Sequence, residues 1–297
     1  MSEARDLLAE NRAHRRAIFD QLDGIPAERM GDETTWAGGP VDVRFMFLRF
    51  ADHEEEHELS VQTRLIESGF RQTTAQRILT RAEMTRGDLL AALVGLNDAD
   101  LDLAPEGEWP LRRTLAHVIN SEHSYRVQTL HSVELFRAGR AYERPSDDVL
   151  PPSVDTRLDG TLDDFILRFD AAREAALAAL AGLPDDALAA PTVWFQRPTD
   201  VRFRLMRFAH HEREHTAHIL KWREQVGRAP TEAQRLLGLA WRARGVLESH
   251  LVGISDELLY IAPEGEWHIR QILAHLAGTD AWLRDQILGA TRATSQE

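Results

Sequence analysis

The 297-residue chain contains no cysteine. That excludes disulfides, a zinc–thiolate finger, an iron–sulfur cluster and a cysteine nucleophile. Nowhere is there an apolar run near the ~18 residues that a membrane helix needs. Positive charge is in deficit: 35 Lys and Arg stand against 48 Asp and Glu, a formal net charge of −13. This balance argues against nucleic acid or an anionic membrane as partner. The opening residues, Met1-Ser2-Glu3-Ala4-Arg5, have neither the basic nor the apolar region of a secretory signal, so the expected location is the cytoplasm. What is present is ample apolar content, 43% of the chain beside 28% charged residues, which suits a folded protein. At roughly 150 residues per domain, the length suggests two domains.

Shifted by 158 positions, the sequence matches itself without gaps. Asp42-Val43-Arg44-Phe45 falls on Asp200-Val201-Arg202-Phe203, and Arg49-Phe50-Ala51 on Arg207-Phe208-Ala209. Ala104-Pro105-Glu106-Gly107-Glu108-Trp109 recurs as Ala262-Pro263-Glu264-Gly265-Glu266-Trp267. The period is too long for a solenoid unit and reads as an internal duplication of domains or half-domains, with copies over 4–130 and 162–288. The unmatched stretch from His131 to Gly160 holds Pro145, Pro151 and Pro152 and reads as a connector.

Each copy carries four helical patterns, near 4–23, 42–67, 74–95 and 109–130 and again near 162–181, 200–225, 232–253 and 267–288. In the second, Val43, Met46, Phe47, Phe50, Val61 and Leu65 recur at helical spacing. Thr73 through Gln76 and Thr231 through Gln234 are capping-box signals, and Asp42 and Asp200 read as N-caps. With no hairpin signal and no sustained alternation, the expected class is all-α with eight main helices.

Three histidine positions survive the shift: His53 matches His211, His57 matches His215, and His117 matches His275. His14, His123, His131, His210, His218, His250 and His268 do not. His53 and His57 are four apart, so both imidazoles leave one helix face beside Met46 and Phe50. Paired imidazoles next to an apolar stripe are costly without partners. A third histidine from a facing helix would complete three nitrogen ligands with an open position, as in catalytic zinc sites, and His117 and His275 are the retained candidates. The alternative is a set of core histidines bonded to backbone or to Glu54, Glu56, Glu212 and Glu214. Both pairs also fit the HExxH pattern, with Glu54 and Glu212 as candidate bases. The metzincin extension is absent from both, and no strand pattern precedes either helix.

The segments Glu108-Trp109…Leu115-Ala116-His117 and Glu266-Trp267…Leu273-Ala274-His275, beside a separate His-x-x-x-His helix, resemble the DinB-like metal-binding four-helix-bundle superfamily. The resemblance implies two such bundles, each taking one ligand from its second helix and two from its fourth. Carried over, these are His117 with His211 and His215 at one site, and His275 with His53 and His57 at the other. The family places the single histidine before the pair, whereas each sequence copy has the pair first. The resemblance implies an up-down-down-up bundle, whose fourth helix could return to the first only along ~30 Å of a 20-residue helix. The link from Gly69 to Thr73 spans at most about 3.5 Å per residue and is too short for that. The expected domains are therefore a central bundle over 73–226 and a second bundle of 1–72 with 227–297. The alternative is that each copy folds on itself with altered connectivity, which the tendency of sequence neighbours to pack together favours.

Some relatives are thiol-dependent S-transferases, and others have no known activity. The functional expectation is a metal-dependent enzyme, an S-transferase or hydrolase, holding a divalent ion with three imidazoles. Zinc comes first among the metals, with nickel, iron or copper as alternatives. Without cysteine, any thiol would be a diffusible low-molecular-weight cofactor. Arg44 and Arg202, and Arg49 and Arg207, are candidates to anchor an acidic small-molecule substrate, or else surface ion pairs. The competing expectation is a non-catalytic, metal-stabilised helical protein serving binding or stress response. The sequence leaves the oligomeric state open.

Overall fold

Side-chain caps fix where the long helices begin. The Asp42 carboxylate accepts from the Phe45 N–H at 2.7 Å, and Asp200 accepts from Phe203 at 3.1 Å. Thr231 and Gln234 exchange reciprocal bonds at the head of another helix, as do Thr161 and Asp164. The computed structural model describes residues 3–151 and 157–293. Among them are eight α-helices: α1 (Glu3–Phe19), α2 (Val43–Glu67), α3 (Thr74–Leu93), α4 (Leu111–Arg137), α5 (Leu162–Leu180), α6 (Val201–Gln225), α7 (Glu232–His250) and α8 (Ile269–Ala293). No described helix is long and apolar enough to cross a membrane.

The chain divides into two compact units. One comprises Met1–Arg71, Arg86–Gly95 and Ala229–Glu297, the other Gln72–Thr85 and Leu96–Arg228. In the first, α2 packs on α7 and α8, and α1 on α8. Its apolar stripe is the one the spacing marks, with Val43, Met46, Phe47 and Val61 fully buried. Leu8, Leu247, Ile272 and Leu276 extend the core. In the second unit, α4 packs on α5 and α6 around Leu115, Phe165, Phe169 and Phe208. Residues 86–95, placed in the central span by the sequence expectation, are grouped with the chain ends. Gly87 explains why: a Cβ there would stand 2.6 Å from the Trp241 carbonyl oxygen, so helix backbones approach where a larger residue would not fit.

Two corrections concern short segments. Strands β1 (Glu33–Trp36) and β2 (Gly39–Asp42) form an antiparallel hairpin before α2, and β3 (Pro191–Trp194) and β4 (Arg197–Asp200) form another before α6. Strands of four residues are too short for alternation to register. Their tips, Ala37-Gly38 and Phe195-Gln196, adopt positive φ without the usual Asn-Gly signal. Helix α4 also runs to Arg137, into the stretch read as a connector. Pro152 lies outside the described residues.

Candidate metal centre

Helical spacing and packing bring six imidazoles into two trios, one within each unit. His53 and His57 leave one face of α2 and meet His275 from α8. The Nε2 atom of His53 lies 3.1 Å from that of His57 and 3.1 Å from that of His275. In the other unit His211 and His215 of α6 meet His117 of α4. There the Nε2 atom of His211 is 3.1 Å from those of His117 and His215.

These distances test whether a cation fits. Three nitrogens each 2.0–2.1 Å from a tetrahedral zinc stand about 3.3 Å apart, close to the spacing seen. Hydrogen bonding alone accounts for the arrangement poorly. An imidazole nitrogen has either one lone pair or one proton, yet the central Nε2 of each trio faces two other ring nitrogens. A shared cation resolves that conflict, and all-nitrogen donors suit zinc, nickel, copper or iron.

Electrostatics favour the ligand form of the rings. Burial, reinforced by the neighbouring imidazoles, pushes His53 down to about 4, His211 to about 3 and His215 to about 4. His57 is lowered for the same reasons. Metal binding needs neutral imidazole, so these rings are ready to ligate at physiological pH. Trp267 stacks on His57 and meets His275, while Trp109 meets His117 edge-on, so the retained tryptophans adjoin the trios.

The glutamates of the HExxH pattern point elsewhere. Glu54 is fully buried, paired with Arg15 and held by Arg244 at 2.6 Å. Arg15 also binds Asp280 at 2.8 Å. Glu212 accepts from Arg173 at 2.6 Å and from Thr85 at 2.8 Å. Arg173 reaches Glu122 through two bonds of 3.0 Å and Glu83 at 3.3 Å. Burial alone would raise Glu54, but Arg15 and Arg244 outweigh it and hold the carboxyl below its ordinary value. Burial pushes Glu212 up to about 7, since its arginine is shared with other carboxylates. Both glutamates are committed to buried arginines, which leaves them poorly placed as bases at the trios. The 158-residue register pairs Arg15 with Arg173 and Asp280 with Glu122, a signal that marks these networks in the sequence.

The candidate anchors are also engaged. Arg44 pairs with Glu232 and, at 3.4 Å, with Asp42; Arg202 pairs with Asp200 at 3.0 Å. Arg49 binds Asp52 and Glu56 and lies over Trp36; Arg207 binds Glu214 and lies over Trp194. Two groups near the central trio carry no mark in the repeat. The Ser121 hydroxyl is 3.4 Å from Nε2 of His211, and the Tyr125 ring packs against that imidazole. Their counterparts are Thr279 and Leu283, so neither is retained.

Residues 81–219 match the family model of the DinB superfamily. That stretch is DinB-like. Within it His117 precedes His211 and His215, the ligand order that the resemblance implies. No curated protein and no solved structure matches the chain. The matched stretch takes in much of α3, all of α4 and α5 and most of α6.

Proposed function

We propose that the chain is a metal-dependent enzyme of DinB-like type, using a divalent cation held by His117, His211 and His215 and a second held by His53, His57 and His275. The observation that carries this reading is the convergence of three Nε2 atoms in each trio at 3.1 Å steps. Zinc is the first choice of metal. A divalent cation held by three neutral imidazoles keeps its positive charge and would acidify a thiol or water bound beside it.

The chain's own residues supply the rest. Buried, depressed imidazoles avoid protonation and so hold their ligand form. Glu54 and Glu212 tie the helices bearing the pairs to Arg15, Arg244 and Arg173, which restrains His53, His57, His211 and His215 against rotation. The Ser121 hydroxyl can donate to or accept from a reactant at the central trio. Because the chain has no cysteine, a thiol nucleophile would be a diffusible small molecule, giving an S-transferase; water in its place gives a hydrolase.

Cobalt-loaded protein tests this. A small thiol added to it is expected to produce a thiolate-to-cobalt charge-transfer band in the near ultraviolet, because three protein ligands leave a position open. A cobalt spectrum unmoved by thiol, azide or cyanide would mean a closed, structural site and would refute the catalytic reading.

A further inference from the structure

Beside the central trio, wholly within the unit of Gln72–Thr85 and Leu96–Arg228, lies a cavity of about 190 Å³. His215 opens directly onto it, between an apolar wall of Leu111, Ile219 and Trp222 and a second wall of Trp109. Trp222 is buried, and its Nε1–H donates to the Leu103 carbonyl at 2.9 Å, which fixes the indole. Trp109 is 38% exposed and meets the His117 ring at 5.3 Å between centroids, so one wall of the cavity also touches a second imidazole of the trio. Its edge is polar: Glu108, paired with Lys221, and His218 stand there. Lys221 is the only lysine in the sequence.

Building on the metal-centre reading above, we propose that this cavity receives a compact apolar ring of the substrate, which sets the substrate class as small monocyclic compounds. A cavity of roughly 150 Å³ accepts benzene, so this one, apolar along Leu111, Ile219 and Trp222, has room for a single ring and a short substituent. Two indoles offer edge and face contacts to such a ring. A quaternary ammonium group is the other ligand that aromatic walls select. Here the Arg113 guanidinium already lies 4.2 Å from the Trp109 ring centroid, so that indole's cation-binding face is taken. Glu108 and Lys221 neutralise each other at the edge and so leave no unpaired charge there for an ionic ligand. An apolar ring is the ligand that the Leu111, Ile219 and indole surfaces favour.

The test follows the indole N–H signals of Trp109 and Trp222 by NMR in the full-length protein, assigned through Trp→Phe substitutions, as benzyl alcohol is added. Saturable shifts of both signals are expected, at concentrations at least about tenfold below those needed with 2-propanol, given the extra apolar area buried. Ile219→Trp, which fills the cavity, should weaken benzyl alcohol binding about tenfold or more. Thr114→Ile narrows the same wall with the residue that Ile272 already places, buried, at the matched position, and should weaken it severalfold. Absent shifts, equal response to 2-propanol, tighter binding of tetramethylammonium, or full affinity in both variants would overturn the proposal. Metal content measured on the same samples separates the two readings. Indole shifts without bound metal support the cavity's occupant and sink the metal centre, whereas bound metal without shifts sinks this proposal alone.

Discussion

Nε2 of His117 lies 3.1 Å from Nε2 of His211, although 94 residues separate them in the chain. The same closeness joins His53 to His275 across 222 residues. Two neutral ring nitrogens gain little by such an approach unless a proton or a cation lies between them.

Adding metal should therefore stabilise the fold. A cation that binds the folded trios but not the unfolded chain contributes about 2.7 kcal/mol at a hundred times its dissociation constant. Zinc added to chelator-treated protein is expected to raise the urea midpoint, and excess chelator should reverse the gain. An unchanged midpoint would count against both sites.

The metal-free protein should lose stability as pH falls. His53, His211 and His215 have folded values of about 4, 3 and 4, below their ordinary 6.5. Between those values the unfolded chain binds more protons, so stability rises with pH. It is fully present above about 6.5 and declines as pH drops from there towards 4. Urea midpoints measured across that window in the presence of chelator check the sign, and His211→Gln should flatten the slope.

The two buried ion networks should respond differently to the same change. Glu54 is held by Arg15 and Arg244, whereas Glu212 shares Arg173 with Glu122 and Glu83. Glu54→Gln strands part of two arginine charges and is expected to cost about 3 kcal/mol. Glu212→Gln removes one carboxylate from an acid-rich cluster and should cost about 1 kcal/mol or less. Arg173→Met, which leaves the three carboxylates without that guanidinium, should cost about 3–5 kcal/mol. Equilibrium unfolding of the three variants gives the order directly.

Gly87→Ala tests the close helix approach. The added methyl would meet the Trp241 carbonyl at 2.6 Å, so a cost of about 1–3 kcal/mol is expected, read as a fall in the thermal midpoint. A neutral substitution would mean that the helices can separate there at no cost.

Much of this architecture is legible in the residues themselves. The stripe from Val43 to Leu65 and the caps at Asp42, Asp200 and Thr231 mark the helices because helical period and capping chemistry are local. The 158-residue register singles out the histidines that the structure gathers into trios. The hairpins are not legible, since four-residue strands and the Phe195-Gln196 tip have no strong local signature. Nor is the direction of Glu54 and Glu212 legible. The HExxH pattern places them beside the ligands in sequence, but the turn of the helix sends them towards Arg15 and Arg173. An arginine buried by such pairing looks, in sequence, like one on a solvated face.

Cation stoichiometry is the most direct test of two separate trios. Elemental analysis of untagged protein should find two equivalents per chain, falling to one in His117→Ala and in His275→Ala, with helicity retained. The double variant His117→Ala/His215→Ala should still hold one equivalent, and His117→Ala/His275→Ala none. Two equivalents surviving in His117→Ala, or none in His117→Ala/His215→Ala, would contradict the account.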